Sequence, residues 1–157
     1  MIQMFNHVIN IIGLWIIVEV IQQRLGIKKL DQMGGMAQKA PRMAIFLVII
    51  SLANIGLPLT NGFIGEFLMF SGLFQYNYWF MAFAGLGIIL AAIYTLGMIQ
   101  QIIFGKSNEL TETTTDLQPG ETLALSLVVI LIIVLGVYPK PMLDLVSGTS
   151  EVVNMLF

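Results

Sequence analysis

The chain has 157 residues, of which 57% are apolar and 10% charged, with a formal charge of −2 and a mean hydropathy of +0.90; soluble domains carry roughly a quarter charged residues, so a soluble globule is excluded. The mildly acidic balance leaves no basic face for nucleic acid. The absence of cysteine excludes a disulfide, a thiolate metal site and iron–sulfur ligation by this chain.

The apolar residues gather into runs that approach the ~20 residues a helix needs to cross a bilayer, which predicts an all-α, polytopic transmembrane bundle forming a single membrane domain. The first run, Ile2–Gln22, has no basic segment before it and no small-residue cleavage site after it, so it is expected to remain as a span rather than leave as a secretory signal. The polar loop RLGIKKLDQMGGMAQKAPR follows, with Arg24, Lys28, Lys29, Lys39 and Arg42, five of the seven basic residues. The positive-inside rule assigns this loop to the cytoplasmic side.

The next apolar region, Met43–Phe74, is interrupted at GLPLTNG, where Gly56, Pro58 and Gly62 oppose regular helix. Two spans, Met43–Gly56 and Gly62–Phe74, are one reading. Each is only about 14 residues long, short of the ~20 required, and no charge lies between them to mark an aqueous loop. One span broken near residues 57–61 is therefore the expectation. The turn QYNY comes next, and the rings of Tyr76, Tyr78 and Trp79 suit the headgroup level of the outer boundary.

The third span, Trp79–Phe104, carries Gly87 and Ala91 four residues apart, small side chains that allow close helix packing. In the polar loop GKSNELTETTTDLQPGE, Lys106 stands alone against Glu109, Glu112, Asp116 and Glu121, so parity rather than charge places it on the cytoplasmic side. The last span, Thr122–Tyr138, then runs outward. Four crossings result, with both termini outside.

Glu66, in GFIGEFLMF, stands about one turn beyond the break and so near the middle of the membrane. A central acidic residue costs about 2.5–3.5 kcal/mol on insertion scales, which makes such a group a functional candidate by default. A carboxyl balanced between lost hydration and the field of a nearby cation can take up and release protons. The bland alternative is a structural Glu paired with a Lys or Thr. Gly62 and Gly65 flank it without side chains, leaving room either for water or for a closely packed helix. A broken helix serves proton chemistry because its freed backbone groups survive only where protein or trapped water satisfies them.

Gln3, Asn6, His7 and Asn10, at spacings of three and four, form a polar stripe on the first span. His7 suits either proton relay or a structural hydrogen bond, and its neighbours suit water binding. Glu19 reads as structural or peripheral, and Tyr94, Thr95 and Gln100 carry no assigned role. No Walker loop, dinucleotide fingerprint, Ser/His/Asp order or metal-ligand cluster occurs.

The segments QMFNH, KKLDQMGGMAQKAPRMA, SLANIGLPLTNGFIGEF, IYTLGMIQQIIFG and LGVYPKPMLDL together resemble, in order and spacing, the landmarks of the antiporter-like subunit M of respiratory complex I. The resemblance covers nearly the whole chain and corresponds to the last four of the family's roughly fourteen transmembrane helices. It implies proton translocation across the cell inner membrane, coupled to NADH:quinone oxidoreduction, with Glu66 as the terminal titrating group of the second half-channel. It implies that His7 belongs to the central polar axis feeding that group. Sister antiporter-like subunits place Lys where Glu66 stands, so the likeness is to subunit M rather than to subunits L, N or the multisubunit cation antiporters. Within the chain no cofactor is expected; NADH, flavin, iron–sulfur clusters and quinone are implied in partner subunits.

The implied partners are other complex I membrane subunits, the lipid bilayer and a separately encoded N-terminal part of the same subunit. The family's first half-channel and the central Lys between the halves have no counterpart here. A truncated reading frame, a split subunit and a shortened independent protein are the three origins that fit. The competing functions are a cation/proton antiporter component and a nonfunctional structural remnant.

Overall fold

The computed structural model describes residues 1–26, 29–107 and 109–147; Lys28 of the basic loop lies outside them. Among the described residues the α-helices follow in order: α1 (Ile2–Leu25), α2 (Met36–Lys39), α3 (Pro41–Asn54), α4 (Asn61–Tyr76), α5 (Tyr78–Phe104), α6 (Glu109–Glu112) and α7 (Pro119–Val137). A short 3-10 turn occupies Leu30–Gln32, and a further helical stretch covers 140–147. Among the described residues there is no strand.

The protein is a polytopic transmembrane helix bundle. The helices α1, α5 and α7 are each long and apolar enough to cross a membrane; at ~1.5 Å per residue they measure roughly 36, 40 and 28 Å against a hydrocarbon core of about 30 Å. The half-helices α3 and α4 are each too short alone. They lie end to end along α1: Ile50 packs where α1 has Gly13, Asn10 bonds to Ala53, Asn6 pairs with Asn61, and Gly65 rests on Gln3. As the α1 numbers fall, the partner numbers rise, so both halves run antiparallel to α1 as one interrupted rod.

The helix ends follow local rules. Gly26 closes α1 in the left-handed conformation, its N–H donating to Gln22 O at 2.9 Å. Pro41 and Pro119 occupy first turns, where a missing N–H costs nothing. At α7, Gln118 and Glu121 form a capping box, which explains why this helix starts earlier than the apolar run at Thr122. Asn77 caps α5 by accepting from Trp79 N–H at 2.9 Å.

The core is aliphatic, with Ile17, Ile50, Leu125 and Ile132 fully buried between α1, α3 and α7. Most of α5 faces outward: Phe83, Leu90 and Ile93 are exposed, as suits a lipid-facing or partner-facing surface. Tyr76, Tyr78 and Trp79 are likewise exposed at the α4–α5 turn.

The polar end of the bundle is tied by a charged cluster. Arg24 pairs with Glu121 and donates to the carbonyls of Thr115 at 2.5 Å and Asp116 at 2.7 Å. The Asp116 carboxylate accepts from the N–H groups of Arg42 at 3.1 Å and Met43 at 3.2 Å, capping α3 from the distant 105–118 loop. Glu19 only accepts from Gln23 on the exposed face of α1, at 2.8 Å.

At the opposite side of the core, Gly136 of α7 lies against the backbone of Leu59 and Thr60, so close that a Cβ there would overlap them. Gly97 on α5 has open space where its side chain would be. Gly136→Ala is therefore expected to lower the thermal midpoint of the detergent-solubilised protein, costing about 1–3 kcal/mol from overpacking. Gly97→Ala in the same assay leaves the midpoint unchanged or raised.

Candidate functional site at the helix break

The interruption is built by two linked motifs. Leu57 N–H reaches Leu52 O at 3.1 Å and Gly56 N–H reaches Ala53 O at 3.2 Å, the paired bonds of a Schellman cap, with Gly56 in the left-handed region at φ 73°. Pro58 then forbids continuation of the helix. It also begins a turn closed by Thr60 N–H to Leu57 O at 3.1 Å, in which Leu59 adopts φ 74°. Leucine is strained there, since a residue with a Cβ pays roughly 1–2 kcal/mol in the left-handed region.

Thr60 gives its hydroxyl to Leu57 O at 2.6 Å instead of capping α4. The first-turn N–H groups of α4 are thus left without a side-chain cap and carry the positive end of the helix dipole into the break. Glu66 belongs to the next turn. Helical side chains lean toward the N-terminus, so its carboxyl reaches back to the break and lies against Gly56, where an added Cβ would come within 2.9 Å of Cδ and overlap Oε2.

Half-buried, Glu66 contributes the one ionisable group to a cleft of about 280 Å³ otherwise lined by Ile55 of the break, residues of α4, and Ala84, Gly87, Ile88 and Ala91 of α5. Gly87 has nothing within 4 Å of the place a Cβ would occupy. The small residues of α5 therefore do not bring another described helix close; they keep the space beside the carboxyl open. These residues lie near the midpoint of α5 along its length. Among the described residues, none hydrogen-bonds or ion-pairs with Glu66.

On the other side of the break, α1 presents amides. Asn6, Asn10 and Asn61 are almost wholly buried, as is Ser51. The amide N–H groups of the three Asn side chains are used, but among the described residues the Oδ1 atoms of Asn6, Asn10, Asn54 and Asn61, the Oε1 of Gln3 and the Oγ of Ser51 are buried with no hydrogen-bond partner. Buried acceptors of this kind take up ordered water. Between this amide seam and the Glu66 carboxyl stand the bare Cα positions of Gly56 and Gly62; a Cβ on Gly62 would overlap Ala53 O and fall 3.5 Å from the Gly56 Cα.

The polar stripe of α1 is thus divided. Asn6 and Asn10 turn to the break and Gln3 to Gly65, while His7 turns outward. His7 lines a separate, broader cleft of about 660 Å³ with Gln3, Gly65, Met69 and Val146. Glu66 and His7 occupy adjoining clefts that share Met69 as a wall. Asn54 and Asn61 escaped the reading of the sequence, although their symmetrical placement around the break in SLANIGLPLTNG was the available signal. Among the described residues, no group of three His, Asp or Glu side chains is placed to hold a metal ion.

Fold and site define a polytopic membrane protein organised around a broken helix with an embedded carboxyl group. Residues 1–93 match the family described as NADH:quinone oxidoreductase/Mrp antiporter, TM, and the chain belongs to that family. It is similar to NADH-quinone oxidoreductase subunit M of Rhodobacter capsulatus, at 35% identity over 92% of this chain and 28% of that protein. The subunit M of Rickettsia prowazekii (strain Madrid E) is 36% identical over 95% of this chain and 30% of its own length. Among solved structures, a chain of "Respiratory complex I from Thermus thermophilus with bound NADH" superposes with a TM-score of 0.67 and 32% identity, over 76% of this chain and 25% of that one. The chain spans less than a third of the length of these relatives.

Gly56→Ala combines left-handed strain with a collision against Glu66 and is expected to cost about 1–3 kcal/mol. Leu59→Gly removes strain worth roughly 1–2 kcal/mol, partly offset by a more flexible unfolded chain. Thermal midpoints of the two variants should move in opposite directions, downward for Gly56→Ala and upward or not at all for Leu59→Gly.

Proposed function

We propose that this chain is part of a membrane-arm subunit of a proton-translocating NADH:quinone oxidoreductase, and that Glu66 is the group in it that takes up and releases protons. The observation that carries the reading is the Glu66 carboxyl itself: it is lodged at a helix break, faces an otherwise apolar cleft and has no cation partner among the described residues. The likeness to subunit M and to a complex I chain supplies the redox context.

The chemistry follows from the surroundings. A carboxylate in apolar walls exchanges protons only where water reaches it, and the unpartnered amide acceptors across Gly56 and Gly62 offer places to hold that water. A positive charge brought near the cleft or withdrawn from it changes the proton affinity of Glu66. Such a charge would come from a partner segment. His7, exposed in the adjoining cleft, would serve the same path as a relay toward the segments that complete the subunit.

Within this reading, NADH, flavin, iron–sulfur clusters and quinone belong to partner subunits. The partners of this chain are the other complex I membrane subunits, an N-terminal part of the same subunit and the surrounding lipid. The membrane is the bacterial inner membrane, crossed four times, with the Arg24–Glu121 end on the cytoplasmic side by the positive-inside rule.

The test is NADH-driven proton pumping in inverted membrane vesicles, comparing the unaltered chain with Glu66→Gln while assembly of the complex is checked on native gels. Pumping should fall at least tenfold with assembly retained, in keeping with the ~10²-fold or greater contribution of a positioned proton-transfer group. Unchanged pumping in an assembled complex would exclude the role.

A further inference from the structure

Asn6 and Asn61 exchange hydrogen bonds between their side chains and backbones: Asn6 Nδ2 donates to the Asn61 carbonyl at 2.7 Å, and Asn61 Nδ2 donates to the Asn6 carbonyl at 3.1 Å. One turn along α1, Asn10 Nδ2 donates to Ala53 O at 3.2 Å. These bonds grip both sides of the break, Ala53 at the end of α3 and Asn61 at the start of α4. Asn6, Asn10 and Asn61 are each at least 99% buried.

Apolar packing alone sets the height of one helix on another poorly, because neighbouring registers bury similar area. A reciprocal pair of directed bonds admits one register, and a buried polar residue serving as a register device is the best-attested use of such groups. Register matters here for a specific reason. Glu66 follows Asn61 by five residues on the same helix, and its carboxyl meets Gly56 across the break. A slide of α4 by a fraction of a turn would carry that carboxyl away from Gly56.

We infer that the Asn6–Asn61 exchange is a positioning clamp for Glu66, fixing the first turn of α4 on α1 so that the carboxyl stays against Gly56, on the side of the break that faces its cleft. The inference rests on the proposed proton exchange at Glu66. From the elements packed against α4, α3 and α5 place no titratable side chain in the Glu66 cleft, α1 places His7 in the adjoining cleft, and the one acid of α7, Glu121, lies at the far end with Arg24.

The experiment measures the pH dependence of NADH-driven pumping in vesicles holding the assembled complex, for Asn6→Ala, Asn61→Ala, the double variant and Glu66→Gln. Each single substitution should displace the pH midpoint by about 0.5–1 pH unit, the equivalent of one hydrogen bond. The double variant should move the midpoint by less than the sum of the two single displacements, because the two bonds hold one register and the loss of either already frees it. Asn6→Ser and Asn61→Ser, which keep a donor, should recover part of the displacement, and they carry the comparison if an alanine variant fails to assemble. A midpoint unmoved in assembled variants, or two displacements that simply add, would overturn the clamp while loss of pumping in Glu66→Gln leaves the role of Glu66 standing. Normal pumping by Glu66→Gln would overturn both.

Discussion

A helix broken inside a membrane leaves backbone groups with no water to satisfy them, and the packing of this chain is arranged around that constraint. The Schellman bonds of Gly56 and Leu57 close the end of α3, the Pro58–Leu59 turn is closed by the Thr60 N–H on Leu57 O, and amides from α1 reach the buried carbonyls of Ala53 and Asn61. Close approach is the second requirement. Gly13 and Gly136 are the positions where α1, α3, α7 and the break meet with no room for another atom. What the break gains is a place where a carboxyl group can stand against bare backbone, with polar acceptors a few ångströms beyond.

The two ends of the interrupted rod are held by different physics. At the polar end, Arg24, Asp116 and Glu121 join α1, α3 and α7 through charge-assisted bonds at the membrane boundary, where such groups retain access to water. In the interior, neutral amides do the same work because an ion pair there would pay a large desolvation cost. Glu66 is the exception to that economy: a half-buried ionisable side chain in an otherwise apolar cleft, without a partner among the described residues.

The outward surfaces are largely apolar. The helix α5 exposes large apolar side chains over most of its length, and the His7 cleft lies open beside the start of α1. Relatives more than three times as long have further chain with which to cover such faces.

Much of this was legible from composition and spacing. Apolar runs of helical length dictate a transmembrane bundle because backbone groups in lipid must be satisfied internally, and Gly56 with Pro58 dictates a break because neither supports helix there. Glu66 announced itself by the cost of its charge. The tertiary structure alone decided that α3 and α4 align end to end on α1, that Asn6 and Asn10 face the break while His7 faces away, and that Gly87 and Ala91 leave a cleft rather than close one. It alone decided that Asp116 caps a helix more than seventy residues before it. Spacing along a chain determines which residues share a helix face, but the direction in which that face turns depends on helices brought together from far along the sequence.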